Sequence, residues 1–213
     1  MAAQRLGGLR LAVPRGAMLG ETLDLLDALG VDTDELRTND RRLLFEDAGI
    51  VTMRPSDVPT YVEAGAADIG ITGKDVLAEQ SERAVYELLD LGLGPCVMIV
   101  ATTAGEDRLA ESLRRLGVMR VATKYPKIAA AYFERTGRQA EIVEVKGSVE
   151  LAPLTGLVEG IVDLTATGTT LRENGLVIRE EIAVATARLI ANPVSHKLKA
   201  AAIDDVLGRL RAG

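Results

Sequence analysis

The chain has 213 residues, of which 47% are hydrophobic and 26% charged, a balance typical of a soluble globular protein. Its formal net charge of −6 argues against nucleic-acid binding as the main role, and its single cysteine excludes an intrachain disulfide and a multi-cysteine metal site. No apolar stretch reaches membrane-spanning length, and the apolar run near the start is too short for a signal peptide. We therefore expect a cytoplasmic protein that binds neither nucleic acid nor membranes.

Short apolar runs alternate with helical patterns from the start of the chain. The β-type runs predict strands over 9–13, 43–45, 50–54, 68–72 and 86–91. The helical spacing of apolar residues predicts helices over 17–29, 56–65 and 74–79. Gly30 lies where a helix-terminating glycine belongs, and Ser56 is a candidate cap for the second of these helices.

A second series of the same kind begins at Cys96. It predicts strands over 96–101, 119–123, 141–145 and 161–164, and a β-rich stretch over 177–190. It predicts helices over 108–116, 125–136 and 149–158, and a closing helix over 197–210. In the closing helix the residues expected to point inward are Leu198, Ile203, Val206 and Leu210.

This alternation predicts an α/β fold of two lobes, each a mostly parallel sheet flanked by helices. We place lobe I at residues 1–93 plus 179–213 and lobe II at 94–178, so that the chain crosses between the lobes twice. A hinged pair of this kind typically holds its ligand in the cleft between the lobes, at the carboxyl ends of the strands.

A threonine-rich turn, DLTATGTTL, follows the strand predicted over 161–164. Free amides at the start of a helix, threonine hydroxyls and a glycine that allows close approach together favour a phosphate site. An ordinary N-capped turn is the alternative, because threonine caps helices routinely. The turn that we interpret as a phosphate site is lined by Thr165, Ala166, Thr167, Gly168, Thr169 and Thr170.

Two acidic residues accompany this turn. Asp163 lies at the strand end, where a carboxylate can accept hydrogen bonds from sugar hydroxyls or hold a metal-bound water, although a lone Asp in this place is usually a solvated strand end or a helix cap. Glu150 lies in the first turn of a predicted helix, where it can simply complement the helix dipole. Both therefore have a functional and a structural interpretation.

Basic residues recur directly after predicted strands, although any one of them alone is typical of an ordinary surface. Cations at the carboxyl ends of parallel strands converge on one rim, where they suit a polyphosphate. His196, the only histidine, is predicted at the start of a helix, and Cys96 lies in an apolar run, so the sequence does not favour covalent catalysis. The four basic candidates are Arg15, Arg54, Lys74 and Lys124.

Several stretches together resemble the ATP phosphoribosyltransferase family, in the family's order along the chain. They are VPRG (13–16), MRPSDVPTYVEAGAADIGITGKDVL (53–77), VATKYPKIAAAYF (121–133), GSVELAPLTGLVEGIVDLTATGTTLRENGL (147–176) and ANPVSHKLK (191–199). The resemblance implies two lobes like those of type II periplasmic binding proteins. It also implies a glycosyltransferase that joins N1 of the adenine of ATP to C1 of phosphoribosyl pyrophosphate with Mg²⁺, the first step of histidine biosynthesis.

The resemblance assigns roles to the candidates. Residues 165–170 should hold the 5′-phosphate of the phosphoribosyl group, and Glu150 and Asp163 should face its ribose hydroxyls. Arg15, Arg54 and Lys124 match basic positions that we interpret as catalytic, and Arg15 and Arg54 together with Lys74 are expected at the pyrophosphate or the phosphates of ATP. No residue is assigned as a direct metal ligand.

The resemblance is to the short form of the family, which lacks a C-terminal regulatory domain. It implies a homo-oligomer, expected to be a dimer, within a hetero-oligomer that includes a regulatory subunit similar to histidyl-tRNA synthetase. The first strand departs from the common Pro-Lys-Gly-Arg ending, because Ala17 stands where the second cation would be. A solute-binding module and a regulatory subunit without turnover are the two rival functions for such a two-lobe chain.

Overall fold

The computed structural model describes residues 6–39 and 41–212. The strands, in chain order, are β1 (Leu11–Pro14), β2 (Leu44–Phe45), β3 (Ile50–Met53), β4 (Ile69–Gly73), β5 (Tyr86–Asp90), β6 (Cys96–Thr103), β7 (Met119–Thr123), β8 (Ala140–Glu144), β9 (Gly160–Thr165), β10 (Leu176–Ala185) and β11 (Ala187–Ala191). The α-helices are α1 (Leu19–Ala28), α2 (Asp34–Thr38), α3 (Val58–Glu63), α4 (Lys74–Glu79), α5 (Arg108–Leu116), α6 (Pro126–Arg135), α7 (Leu151–Leu154), α8 (Thr169–Glu173), α9 (Pro193–Leu198) and α10 (Ala200–Ala212). Among the described residues no helix combines the length and apolar character that a membrane span requires.

The chain divides into two compact units. Unit 1 comprises Met1–Gly94 and Thr186–Gly213, and unit 2 comprises Pro95–Ala185. The prediction for lobe I also covers residues 1–5, 40 and 213, which lie outside the described residues.

Unit 1 is built on a sheet with the strand order β2-β3-β1-β4-β11-β5. Strand β1 runs parallel to β3 and β4, while β2, β11 and β5 join their neighbours in antiparallel pairs. Apolar residues of β1 and β3 pack against α1 and α10 to form the main core of this unit, with Leu11, Leu26, Ile50 and Ile203 all buried. The three parallel strands therefore end at one edge of the sheet.

Unit 2 is built on a sheet with the order β10-β6-β9-β7-β8. Strand β7 runs parallel to β8 and β9, whereas β6 is antiparallel to both β9 and β10. Successive side chains of β6 enter different clusters, Met98 on one face and Ile99 on the other, as the alternation of a strand requires. Both faces of the sheet are therefore covered.

The α/β class and the two-lobe organisation are confirmed, but each sheet is mixed rather than mostly parallel. Helices connect the parallel pairs, whereas β10 and β11 follow each other with only Thr186 between them and lie antiparallel to their neighbours in different sheets. The second boundary lies between Ala185 and Thr186 rather than at 178/179, because β10 continues along β6 for ten residues before the chain leaves unit 2.

Two helix predictions are wrong in part. The helix predicted over 149–158 is only α7, because Gly156 adopts a left-handed conformation (φ 74°) that ends it. The closing helix is interrupted at Lys199, whose non-helical backbone separates α9 from α10. Leu198 consequently lies 77% exposed instead of pointing inward.

Two predictions about the starts of helices are also wrong. Ser56 does not cap a helix, since it lies inside a short 3-10 turn, Pro55–Asp57, and α3 begins after Asp57 without a side-chain cap. His196 lies in the last turn of α9 rather than at its start. The α9 cap is Asn192, whose side-chain oxygen accepts hydrogen bonds from the amides of the second and third helical residues.

Candidate functional site

The threonine loop, defined as residues 165–170, connects β9 to α8 in unit 2. The Thr165 Oγ1 accepts a hydrogen bond from the Gly168 amide at 2.8 Å, which folds the loop back on its own strand end. Gly168 precedes α8 with a left-handed backbone (φ 69°), a conformation that favours glycine. The hydroxyls of Thr167 and Thr169 are 2.9 Å apart and share a hydrogen bond.

The same loop presents backbone donors. Within the described part of the chain, the amides of Ala166, Thr167 and Thr170 have no hydrogen-bond acceptor. All three residues are exposed, while Gly168 between them is buried. Amides at the start of a helix with neighbouring hydroxyls are the donor set that binds a phosphate group. The geometry therefore favours the phosphate interpretation of this loop over a plain capped turn.

Asp163 lies two residues before the loop and is only 7% exposed. Its Oδ1 accepts a hydrogen bond from the Leu164 amide at 2.9 Å, and its Oδ2 lies 3.6 Å from Lys124 Nζ. Burial raises the pKa of the Asp163 carboxyl above its ordinary value, against the opposing charge of Lys124, and the negative charge of Glu150 raises the pKa further. A solvated strand end would show no such burial.

Strand register explains why Lys124 and Asp163 meet. Thr123 of β7 is paired with Val162 of β9 in parallel register, so the next residue of each strand lies at the same level. The Thr123 Oγ1 also accepts a hydrogen bond from the Tyr125 amide at 2.9 Å, which turns the chain into α6 directly after Lys124. The carboxyl edge of the unit 2 sheet thus brings together Lys124, Glu150, Asp163 and the threonine loop.

The remaining basic candidates lie in unit 1. Arg15, Arg54 and Lys74 follow β1, β3 and β4 directly, and these strands are parallel neighbours, so the three residues line one edge of that sheet. The Arg15 amide donates to the Met53 carbonyl at 2.7 Å, and Lys74 Nζ lies 2.6 Å from Glu87 Oε2. The prediction that all four cations line the edge of one sheet is therefore wrong, because Lys124 belongs to unit 2 and the other three to unit 1.

The structure adds Arg172 to the residues at the loop. Its Nη1 donates to the Thr167 carbonyl at 2.8 Å and its Nη2 donates to Thr169 Oγ1 at 3.0 Å. Arg172 lies three residues after Thr169, so the two share one face of a helix. This spacing is visible in the sequence, but it points to a contact only once α8 is known to begin at Thr169.

The chain matches known proteins along most of its length. The family model of ATP phosphoribosyltransferase matches residues 54–212. The ATP phosphoribosyltransferase of Rubrobacter xylanophilus is 54% identical over 94% of this chain and 94% of its own length. The enzyme of the same name from Bacillus licheniformis is 46% identical over 95% of this chain and 93% of its own length.

Solved structures show the same relationship. In the ATP phosphoribosyl transferase (HisG:HisZ) complex from Thermotoga maritima, one chain is 35% identical with a TM-score of 0.79, over 96% of this chain and 97% of that one. The alkanesulfonate-binding protein SsuA of Xanthomonas axonopodis pv. citri has a TM-score of 0.62 at 12% identity, over 98% of this chain and 73% of that one. SsuA confirms the likeness in fold to binding proteins and shows nothing more. The chain belongs to the ATP phosphoribosyltransferase family, whose reaction is the first step of histidine biosynthesis.

Proposed function

We propose that the phosphoribosyl group binds at the carboxyl edge of the unit 2 sheet, with its 5′-phosphate in the threonine loop. The observation that carries this assignment is the cluster of exposed donors in the loop, namely the amides of Ala166, Thr167 and Thr170 and the neighbouring hydroxyls. A dianionic phosphate accepts several hydrogen bonds at once, and the left-handed backbone at Gly168 aims these donors without a side chain in the way.

We assign the ribose hydroxyls to Asp163 and Glu150. Asp163 is two residues before the loop, so a ribose whose 5′-phosphate is bound by the loop would lie near this carboxylate. A buried carboxylate also forms stronger hydrogen bonds than one in water. Glu150 lies close enough that its charge affects the pKa of Asp163. Two carboxylates can accept from the two hydroxyls at C2 and C3 of the sugar.

The cations fit the phosphate chains of the substrates. Lys124 lies beside Asp163 and is 40% exposed at its side chain, so it can reach the pyrophosphate that leaves from C1. Arg15, Arg54 and Lys74 form the basic edge of unit 1, and we assign them to ATP or to pyrophosphate. Ala17 adds no second charge after Arg15, so any role of that charge falls to another residue or is dispensable.

The reaction itself needs little acid–base chemistry. The C1–oxygen bond to pyrophosphate breaks and a bond from adenine N1 to C1 forms, through a state in which the sugar carries positive charge. N1 already has a free lone pair, so no general base is required to begin. The protein contributes by positioning the two reactants and by stabilising negative charge on the departing pyrophosphate, for which Lys124 and Arg15 are suited.

The acidic residues fit a Mg²⁺ ion that arrives with the substrate. No group of three or more potential ligands among His, Cys, Asp and Glu is formed by the described residues. Mg²⁺ commonly binds through one or two carboxylates plus substrate phosphates, and Asp163 with Glu150 would supply such a pair. Bound Mg²⁺ would neutralise charge on the pyrophosphate. Its need in this chain is tested by activity with and without a chelator, restored by added Mg²⁺.

Assembly and location are part of the proposal. The related Thermotoga maritima chain was solved as a HisG:HisZ complex. We extend this to a homodimer of the present chain within a hetero-oligomer that contains a regulatory subunit similar to histidyl-tRNA synthetase, and we place the enzyme in the cytoplasm with its substrates. Light scattering of the purified chain with and without such a subunit tests the assembly, and a monomer that binds no subunit would contradict it.

The site is tested by replacing two of the four loop hydroxyls, Thr169→Ala with Thr170→Ala. We expect the KM for phosphoribosyl pyrophosphate to rise about 10- to 100-fold, because hydrogen bonds to a charged group contribute about 1.5–3 kcal/mol, while the KM for ATP changes little. Initial rates are followed by the ultraviolet absorbance of the adduct, with each substrate varied in turn.

A matched control is Thr136→Ala, an exposed threonine that follows α6 in the same unit, donates to carbonyls of its own helix and accepts from Arg138 Nε, away from the threonine loop. It should leave both KM values unchanged. Equal effects of the loop variant on the two substrates would reject the loop as the phosphoribosyl site. The melting temperatures of the loop variant and of the control are compared, to show whether the loop variant has lost thermal stability.

A further inference from the structure

Arg172 is tied to the threonine loop more closely than any role in helix α8 requires. Its guanidinium donates to the Thr167 carbonyl at 2.8 Å and to Thr169 Oγ1 at 3.0 Å, one partner on each side of Gly168. Its own amide donates to the Gly168 carbonyl at 3.0 Å. We propose that Arg172 is a positioning residue that makes the loop hydroxyls hydrogen-bond donors toward a bound phosphate.

A count of hydrogens supports this role. The Thr167 and Thr169 hydroxyls carry two hydrogens between them, and one is used in the 2.9 Å bond that joins the two oxygens. Arg172 can only donate, so Thr169 Oγ1 accepts from it and cannot use its own hydrogen in that bond. One hydroxyl hydrogen of the pair is left without an acceptor within the described part of the chain, and it is available to an anionic oxygen.

The guanidinium also polarises this pair. A charged donor strengthens the hydrogen bonds that follow it in a chain, so the outward hydroxyl becomes a better donor. In a loop without Arg172, the Thr169 oxygen could accept from water instead, and nothing would hold the remaining hydroxyl hydrogen toward the ligand. The arginine therefore selects donor character, which suits a phosphate and not a cation.

The backbone of the loop is held by the same side chain. A Cβ atom added at Gly168 would lie 3.1 Å from Arg172 Nη1, so the guanidinium lies directly against the glycine. Its bond to the Thr167 carbonyl fixes the peptide that precedes Gly168. Arg172 thus holds the loop backbone as well as the Thr169 hydroxyl, without needing to touch the ligand.

The test compares Arg172→Met and Arg172→Lys with Arg114→Met, which removes an exposed charge of α5 in the same unit. We expect Arg172→Met to raise the KM for phosphoribosyl pyrophosphate about 10- to 100-fold, with the KM for ATP and the melting temperature close to those of the control. Arg172→Lys should recover part of the loss, because one ammonium keeps the charge but cannot span both partners.

A double-variant cycle with Thr169→Val separates positioning from general support. If Arg172 acts through the Thr169 hydroxyl, the fold-change of the double variant is well below the product of the two single fold-changes. The inference is overturned if the fold-change of the double variant equals the product of the two single fold-changes. It is also overturned if the Arg172→Met enzyme has the same kinetics as the Arg114→Met enzyme.

The inference rests on the proposed phosphate site, and the same data distinguish the two failures. If Thr169→Val and the loop variant leave phosphoribosyl pyrophosphate kinetics unchanged, the site assignment fails and the role of Arg172 fails with it. If they raise that KM while Arg172→Met does not, the site stands and only the role of Arg172 is refuted.

Discussion

Replacing Asp163 with asparagine separates function from stability, because the two should move in opposite directions. In the native protein Oδ1 is occupied by the Leu164 amide at 2.9 Å, and Oδ2 lies 3.6 Å from Lys124 Nζ. The asparagine oxygen must keep the partly buried Leu164 amide satisfied, so its NH₂ group takes the place of Oδ2. A donor then faces both the lysine and the substrate.

The magnitude for binding follows from the lost acceptor. A hydrogen bond to a charged group contributes about 1.5–3 kcal/mol, so Asp163→Asn should weaken phosphoribosyl pyrophosphate about 10- to 100-fold. Only one carboxylate oxygen is turned outward, so the loss should not exceed one such bond. The KM for ATP should change little.

Stability should respond to pH in a definite direction. Burial holds the pKa of Asp163 above its ordinary value of 3.8, so the folded chain binds this proton more tightly than the unfolded chain. As pH rises from that ordinary value through the raised pKa, the folded state becomes less stable relative to the unfolded state. This loss of stability is complete above the raised pKa. Asparagine has no such penalty, so Asp163→Asn should gain stability relative to the native protein across this interval.

Two assays decide the matter. Steady-state rates with each substrate varied give the binding effect, and thermal or urea unfolding at several pH values gives the difference in stability between variant and native protein. Unchanged kinetics would return Asp163 to a purely structural role. A stability difference that does not grow with pH from acidic to neutral conditions would refute the burial argument.

Further variants test the packing and charges around the site. Gly160→Ala should destabilise the fold by about 1–3 kcal/mol, because the new Cβ would lie 2.6 Å from Leu109 Cδ1, whereas Gly208→Ala in α10 has open space and should be neutral or stabilising in urea unfolding. Lys124→Met should lower kcat/KM for phosphoribosyl pyrophosphate about 10-fold or more, because the charge beside the leaving group is lost, and Lys124→Arg should recover part of the lost activity. If both variants are as active as the native enzyme, the role of Lys124 is contradicted. Gly168→Ala should cost about 1–2 kcal/mol of loop strain at φ 69° and raise the same KM, and an unchanged KM would show that the loop backbone is not used.

Local signals determined which elements could be predicted from the sequence. Helix α5 was predictable in full because Asp107 accepts hydrogen bonds from two first-turn amides and Gly117 ends the helix in a left-handed conformation (φ 72°). Strand β7 and helix α4 likewise agree with their predicted bounds. By contrast, the break at Lys199 in the closing stretch has neither glycine nor proline to mark it, so the periodic pattern appears continuous.

Pairing between distant strands was not predictable in the same way. Whether β10 continues past residue 178 depends on its partner β6. The chain changes sheet at Thr186, a single residue that carries no local signal for such a change. Tertiary partners, not local propensity, decide such points.

The candidate site shows the same division. The threonine loop was recognisable because hydroxyls and glycine are adjacent in sequence, and the resemblance named its acidic neighbours. The meeting of Lys124 with Asp163 depends on the register of β7 and β9, and the bond from Arg172 depends on a long side chain that reaches back along α8. Neither distance is encoded in a short motif.

A crystal structure of the enzyme with bound phosphoribosyl pyrophosphate would show directly which residues hold the sugar phosphate. We expect the 5′-phosphate within hydrogen-bond distance of the Thr167 and Thr170 amides, with the ribose hydroxyls on Asp163. A ligand bound with its 5′-phosphate at the basic edge of unit 1, and the threonine loop making no contact with it, would rule out the loop as the phosphoribosyl site.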